Sequence, residues 1–191
     1  NEFEQRFLKE VAEHKMTVIR DDGEHRHLLF QKPGTGIMHF NLITWPGYLC
    51  ICGDCGSFVF RRLNDMFQFF RSHDGKLRVN LSYWAEKAVG VDRSDGLKKY
   101  SADKFRAAIA EWLDDMEASQ DLRDAVDDDV LRYSDEGEHD AMRAALDFRH
   151  DGKHVFQDFW EVSIREWSFY FEWCCYAIAW GVCEYDRHRA G

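Results

Sequence analysis

Residues 37–62 read IMHFNLITWPGYLCICGDCGSFVFRR, and this stretch decides the fold. Apolar and polar side chains alternate along it with the period of half-buried strands, and two glycine-bearing turns interrupt the alternation. Pro46-Gly47 separates a strand over Ile37–Thr44 from one over Tyr48–Cys52. Gly53-Asp54-Cys55-Gly56 then leads into Ser57-Phe-Val-Phe-Arg-Arg62. Toward the N-terminus, Pro33-Gly34-Thr35-Gly36 is another turn, and Asp21-Asp22-Gly23 divides residues 17–20 from residues 25–31 as a hairpin. The spacing predicts an antiparallel meander of about five strands.

Helical patterns flank the meander. Phe3, Phe7, Leu8 and Val11 recur at helical spacing and predict an amphipathic helix over residues 2–15. Asn64 or Asp65 can cap a short helix at 66–71, and Ser101 is a good N-cap for a helix carrying Phe105, Ile109, Trp112, Leu113 and Met116. Weaker helices are expected over 121–132 and 137–149. A long helix over roughly residues 155–185 has two apolar stripes. One is Phe156, Trp160, Ile164, Trp167, Phe171, Cys174 and Ile178; the other is Val162, Phe169, Trp173, Tyr176 and Trp180. A helix apolar on opposite sides is central in a bundle, lies between sheet and helices, or sits in a homodimer. The expected class is α+β: an N-terminal helix, the meander, then a helical half with a long buried C-terminal helix. One domain over 1–191 accommodates this, with a helix-plus-meander half at 1–100 and an acidic helical half at 101–191.

The chain has 191 residues, 45% of them apolar and 15% aromatic, enough for a core and incompatible with a disordered or low-complexity chain. Only two prolines occur. The net charge is −10, which argues against direct binding of nucleic acid through the overall field. Arg61-Arg62 and Lys98-Lys99 are only local basic patches, and helical spacing makes most tryptophans core rather than base-stacking platforms. No signal peptide is legible at the start of the chain. The uncharged run from Trp173 to Cys183 is half the roughly twenty residues a spanning helix needs, so no membrane span is expected. Six cysteines without a secreted framework fit a reducing cytoplasm.

The chemistry-bearing candidates are weak. Cys50, Cys52 and Cys55 lie close in sequence, with His25, His27 and His39 able to join them across the sheet, but a structural zinc site wants paired knuckles and no second knuckle follows. No metal or other cofactor is expected. His150 and His154 are four apart, yet Gly152 between them indicates a loop. Ser101-x-x-Lys104 superficially resembles a penicillin-binding motif, and an N-cap explains it. The run Asp127-Asp128-Asp129 lacks the alternation, the glycine and the terminal glutamate of a calcium loop. Nothing nominates a catalytic residue.

The charge is concentrated. Between Asp103 and Asp140 there are fourteen acidic and four basic residues, so the whole net charge falls within 38 positions. A solvated helical face is the ordinary meaning of such a run. Carboxylates three and four residues apart lie roughly 5–6 Å from each other on a helix, however, comparable to phosphates along a strand. An acidic helix pair of about thirty residues would spread this charge over a few nanometres and match a basic groove. The candidate partner-binding residues are Asp114, Asp115, Glu117, Asp121, Asp124, Asp127, Asp128, Asp129, Asp135, Glu136 and Glu138.

The block from Gly53 to Arg71, GDCGSFVFRRLNDMFQFFR, followed by Asn80–Lys87, NLSYWAEK, resembles uncharacterised bacteriophage accessory proteins. The likeness spans about residues 40–110; the glycines and Asp54 belong to its pattern, whereas a cysteine at 55 need not. Small acidic proteins of this kind include inhibitors of host defence such as anti-CRISPR proteins, some of them similar to DNA in charge layout. The resemblance implies phage origin; by association with such inhibitors and with the acidic segment, the expected function is a non-enzymatic phage inhibitor in the cytoplasm of an infected bacterium, with a host nucleic-acid-binding defence complex, a Cas effector above all, as partner. Two alternatives stand beside it: a host-takeover enzyme or metalloprotein using Asp54, the Cys50–Cys55 cluster and nearby histidines, and an acidic adaptor.

Overall fold

The computed structural model describes residues 1–72 and 74–191. The chain divides into two compact units: Asn1–Leu97 with Trp167–Gly191, and Lys98–Glu166. In chain order the elements are α1 (Glu2–Glu10), β1 (Lys15–Asp22), β2 (His25–Gln31), β3 (Phe40–Trp45), β4 (Tyr48–Gly53), β5 (Gly56–Arg61), α2 (Met66–Phe70), α3 (Leu81–Ala85) and β6 (Ala88–Gly90). There follow β7 (Lys98–Tyr100), α4 (Ala102–Asp115), α5 (Gln120–Asp129), α6 (Glu138–Asp147), β8 (Arg149–His150), β9 (Lys153–His154), β10 (Arg165–Trp167) and α7 (Phe169–Ala190). The protein is α+β, with an N-terminal helix, an antiparallel meander and a helical C-terminal half that ends in a long helix.

In the first unit the six strands β1–β6 lie side by side in sequence order. The turns act as their residues dictate. Pro46-Gly47 closes β3 onto β4 with Trp45 opposite Tyr48, and Gly47 takes the positive φ (86°) that a Pro-Gly turn demands. One face of the sheet is the core: Leu28, Phe30, Phe40, Leu42, Leu49, Ile51, Phe58 and Phe60 are buried. Helix α7 lies on that face, with Trp173 edge-on to Phe40 at 5.6 Å and Phe171 against Phe58 at 5.4 Å. Its other side meets α1, α2 and α3: Phe7 packs on Trp173, Phe67 on Tyr185, and the Trp173 indole N–H donates to Glu10 at 2.8 Å. The helix is thus apolar on both sides because it is the middle layer of a sheet–helix–helix sandwich.

Three expectations change in detail. The helix at the N-terminus stops at Glu10 rather than reaching residue 15, because β1 starts at Lys15. The sheet gains a sixth strand, β6, whose three residues are too short to carry a period; Gly90 lets it approach Val59 of β5. The helix expected over 155–185 begins only at Phe169, where the Ser168 hydroxyl accepts the Phe171 N–H. Upstream, Asp158 is left-handed (φ 62°), and Phe159–Glu161 make a single 3₁₀ turn. The apparent stripe Phe156–Trp160–Ile164 is a coincidence of spacing. Phe156 and Ile164 are buried in the second unit's core, while Trp160 is 60% exposed.

That second core is separate. Phe105, Ile109 and Leu113 of α4, Leu122 and Val126 of α5, and Ala141 and Ala145 of α6 converge on Phe148, Phe156 and Phe159. The helices are short, and each N-cap expected from sequence is used: Ser101 accepts from Lys104 N–H at 3.4 Å, which accounts for the Ser-x-x-Lys spacing. The loop expected at Gly152 is a two-residue hairpin turn, Asp151-Gly152, both at positive φ, joining β8 to β9.

Candidate partner-binding surface

All eleven carboxylates singled out by sequence fall in the second unit, and all but the half-buried Glu138 are exposed. This unit holds nineteen acidic and ten basic residues, a net of −9, against sixteen and fifteen in the first. The charge asymmetry read along the chain is therefore an asymmetry between folded units.

The residues do not form the expected helix pair. Asp114 and Asp115 end α4; Glu117 lies in the turn beyond it; Asp121, Asp124, Asp127, Asp128 and Asp129 belong to α5; Asp135 and Glu136 are in the loop after a 3₁₀ turn; Glu138 opens α6. Leu122 and Val126 turn one side of α5 into the core, leaving its carboxylates on the solvent side. At ten residues, α5 is about 15 Å long, so the continuous acidic rod of a few nanometres is replaced by a compact cluster.

Several of these acids are paired. Arg123 meets Asp114 at 2.8 Å and donates to the Leu113 and Ala118 carbonyls at the end of α4. Arg106 bonds Asp135, and Arg165 bonds Glu138 at 2.8 Å, which holds the Arg165 guanidinium above its ordinary value. His150 lies 3.5 Å from Asp121. Among the described residues, Asp115, Glu117, Asp124, Asp127, Asp128, Asp129 and Glu136 make no ion pair with a basic side chain. Asp127, Asp128 and Asp129 line an open cleft of about 710 Å³ with Arg106, Leu131 and Arg132. Arg132 is held above its ordinary value first by its bond to the Tyr133 hydroxyl and then by the field of Asp129 and Asp128.

The backbone makes these positions unfavourable for acids. Helix C-termini carry partial negative charge and favour cations, yet α4 and α5 end on carboxylates with no basic residue in the last turn. Glu117 holds the left-handed position (φ 52°) of the C-cap of α4, with the Ala118 N–H reaching Leu113 O and the Glu117 N–H reaching Asp114 O. Glycine is the usual occupant of that position.

The other candidates disperse. Cys50 and Cys52 lie on the sheet face away from α7, while Cys55 is buried, its Sγ 3.5 Å from Met38 Sδ. Asp54 accepts the Met38 N–H at 2.8 Å, His39 bonds the Gly36 carbonyl, and His27 bonds Asn41. No group of three His, Cys, Asp or Glu among the described residues is arranged to hold a metal ion. No helix among them is long and apolar enough to cross a membrane. Sequence missed Trp160, placed in a helix stripe by its spacing. It borders a hollow of about 400 Å³ with Leu146, His154, Phe156, Gln157 and Asp158, and no periodic signal distinguishes it. No protein-family model, no curated protein and no solved structure matches this chain.

Proposed function

We propose that the second unit is the docking part of a non-enzymatic inhibitor that occupies a basic, nucleic-acid-handling surface of a host defence complex. The observation that carries this reading is the run of exposed carboxylates without an ion pair at the C-terminus of α5, Asp127–Asp129, together with Asp115 beside the Arg123-bonded end of α4, where the helix dipole disfavours negative charge. A solvated face needs charge of either sign, and cations would serve the helix ends better. Acids that work against their own helices are accounted for by a partner of opposite charge. The choice of a defence complex follows the resemblance of residues 53–71 to phage accessory proteins.

The scale of the surface limits the mimicry. Duplex DNA carries about one charge per 1.7 Å of axis, hence about nine over the 15 Å of α5, which has five acids. The cluster matches a short basic pocket spanning about four base pairs rather than a long groove.

The test is capture from a defence-carrying bacterial lysate by the tagged full chain and by a variant with Asp124→Lys, Asp127→Lys, Asp128→Lys and Asp129→Lys. The wild type should retain a nucleic-acid-binding complex at low salt, lose it steeply as salt rises, and lose it to duplex DNA added as competitor. The variant should retain nothing. Normal capture by the variant, or capture indifferent to salt, overturns the reading.

A further inference from the structure

Strand β1 closes one side of the six-stranded sheet and, among the described residues, pairs with β2 alone. Its outer edge therefore presents backbone N–H and C=O groups that no neighbouring strand satisfies. The opposite edge strand, β6, has three residues, whereas β1 has eight, Lys15–Asp22, reading KMTVIRDD. All but the half-buried Met16 are exposed, and at the centre Val18 and Ile19 are 37% and 54% exposed.

The register with β2 fixes which face each side chain takes. Lys15, Thr17, Arg20 and Asp22 stand opposite Gln31, Leu29, His27 and His25, the alternation of β2 that leaves the core. Met16, Val18 and Asp21 stand opposite Phe30, Leu28 and Arg26, which are buried. Ile19 is the extra residue of a β-bulge between Val18 and Arg20 and reverses the parity of the strand. Lys15 and Asp22, an odd and an even position, thereby share the open face.

We propose that the β1 edge is a self-association surface, on which a second copy of this chain adds its own β1 antiparallel across a twofold axis. When the eight residues of one strand face the eight of the other, Lys15 lies opposite Asp22, Met16 opposite Asp21, Thr17 opposite Arg20 and Val18 opposite Ile19. Directly opposed residues of antiparallel strands share a face. The bulge makes this full-length register meet that condition: Lys15–Asp22 and Thr17–Arg20 fall on the open face, and Met16–Asp21 on the core face. The twofold repeats the Lys–Asp pair at both ends, and the centre covers the exposed Val18 and Ile19.

Charge order selects a second copy as the occupant, because a strand that begins basic and ends acidic complements its own reverse. Lys15 is exposed and enters no ion pair among the described residues. Asp22 has only the exposed Arg20 of its own strand beside it, at 3.1 Å. Asp21 is held within its own chain by the Tyr185 hydroxyl and by Arg189, so Asp22 is the carboxylate open to a partner. Association stops at two: pairing uses the long edge of each copy, and β6 is too short to extend the sheet. The surface belongs to the first unit and contains none of the eleven carboxylates of the second, so this reading and the proposed function stand or fall separately.

The test is sedimentation velocity of the full chain over a range of concentrations at low salt. The wild type should pass from monomer to dimer and form nothing larger. Lys15→Asp and Asp22→Lys each place two like-charge pairs across the twofold, and each should weaken the dimer by about tenfold or more. An equimolar mixture of these two variants should recover wild-type affinity as a heterodimer, since each chain then meets opposite charge at both ends. The chain carrying both changes should recover it as a homodimer. A monomer at every concentration, a dimer indifferent to either single reversal, or single variants whose mixture stays monomeric overturns the proposal. Both positions are exposed, and circular dichroism of each variant separates loss of association from loss of fold.

Discussion

Arg26 shows what a single residue can decide. Its alternation partners Leu28 and Phe30 face the core, so strand period places a guanidinium where apolar side chains belong. The site accepts it because Asp65 takes two hydrogen bonds at 2.9 and 3.2 Å, the Tyr185 hydroxyl lies at 3.4 Å, and the Phe67 ring stacks 4.6 Å beneath. Asp65 also caps α2 by accepting the Phe67 N–H. Replacing Arg26 leaves that carboxylate largely buried without its partner, since only 18% of the Asp65 side chain is exposed. Arg26→Ala is expected to lower stability by about 3–5 kcal/mol, read from urea unfolding. A loss under about 1 kcal/mol would mean the pair is solvent-screened. The cap role of Asp65 is legible in sequence, from a short polar residue before Met66-Phe67. Its pairing with Arg26 is not, because 39 residues and three strands separate them.

At the scale of the element, helix ends and helix faces carry the information. Just beyond α4 the left-handed Glu117 is a strained choice, so Glu117→Gly should raise stability by about 1 kcal/mol while weakening capture of the proposed partner. Denaturant midpoints and pull-down yields on the same variant check both halves. In α7, burial raises the Glu172 carboxyl above its ordinary value. The folded state then holds that proton more tightly than the unfolded one, so the stabilisation is complete below the unfolded value and is lost as pH rises through the folded one. Glu172→Gln should therefore match wild type in thermal midpoint below about pH 4 and exceed it increasingly toward neutrality. A constant gap across that range would show that Glu172 acts through packing. Close packing is also visible at Gly181, where a Cβ would lie 2.7 Å from Leu42 and 3.2 Å from Phe30. The glycine lets α7 settle onto the sheet.

For the whole molecule, the main electrostatic fact is that nearly all net charge belongs to one of two units. Repulsion among exposed carboxylates at the ends of α4 and α5 is screened by salt. Added sodium chloride should raise the unfolding temperature of the protein, and the triple change Asp127→Asn, Asp128→Asn, Asp129→Asn should raise it at low salt while flattening its salt dependence. Unchanged salt dependence in that variant would place the repulsion elsewhere. The predicted gain in stability and the predicted loss of binding share Asp127, Asp128 and Asp129, to which the binding variant adds Asp124.

Local signals determined most of the meander, the α+β class and the helix caps. Turns at Asp22-Gly23 and Pro46-Gly47, strand alternation, and hydroxyl caps such as Ser101 act within a few residues of themselves. The acidic run was equally plain, since charge is a sum over residues and needs no fold. Tertiary structure alone decided that residues 155–168 are not helix, because helical spacing in Phe156, Trp160 and Ile164 competes with burial of Phe156, Phe159 and Ile164 in a second core. It decided that Cys55 parts from Cys50 and Cys52, which a turn sends to opposite sides of the sheet. It also broke the expected acidic helix pair into the ends of short elements around Leu122 and Val126. For residues 155–168 and for the acidic helices, packing between residues far apart in the chain outweighed a local periodicity that several conformations satisfy equally well.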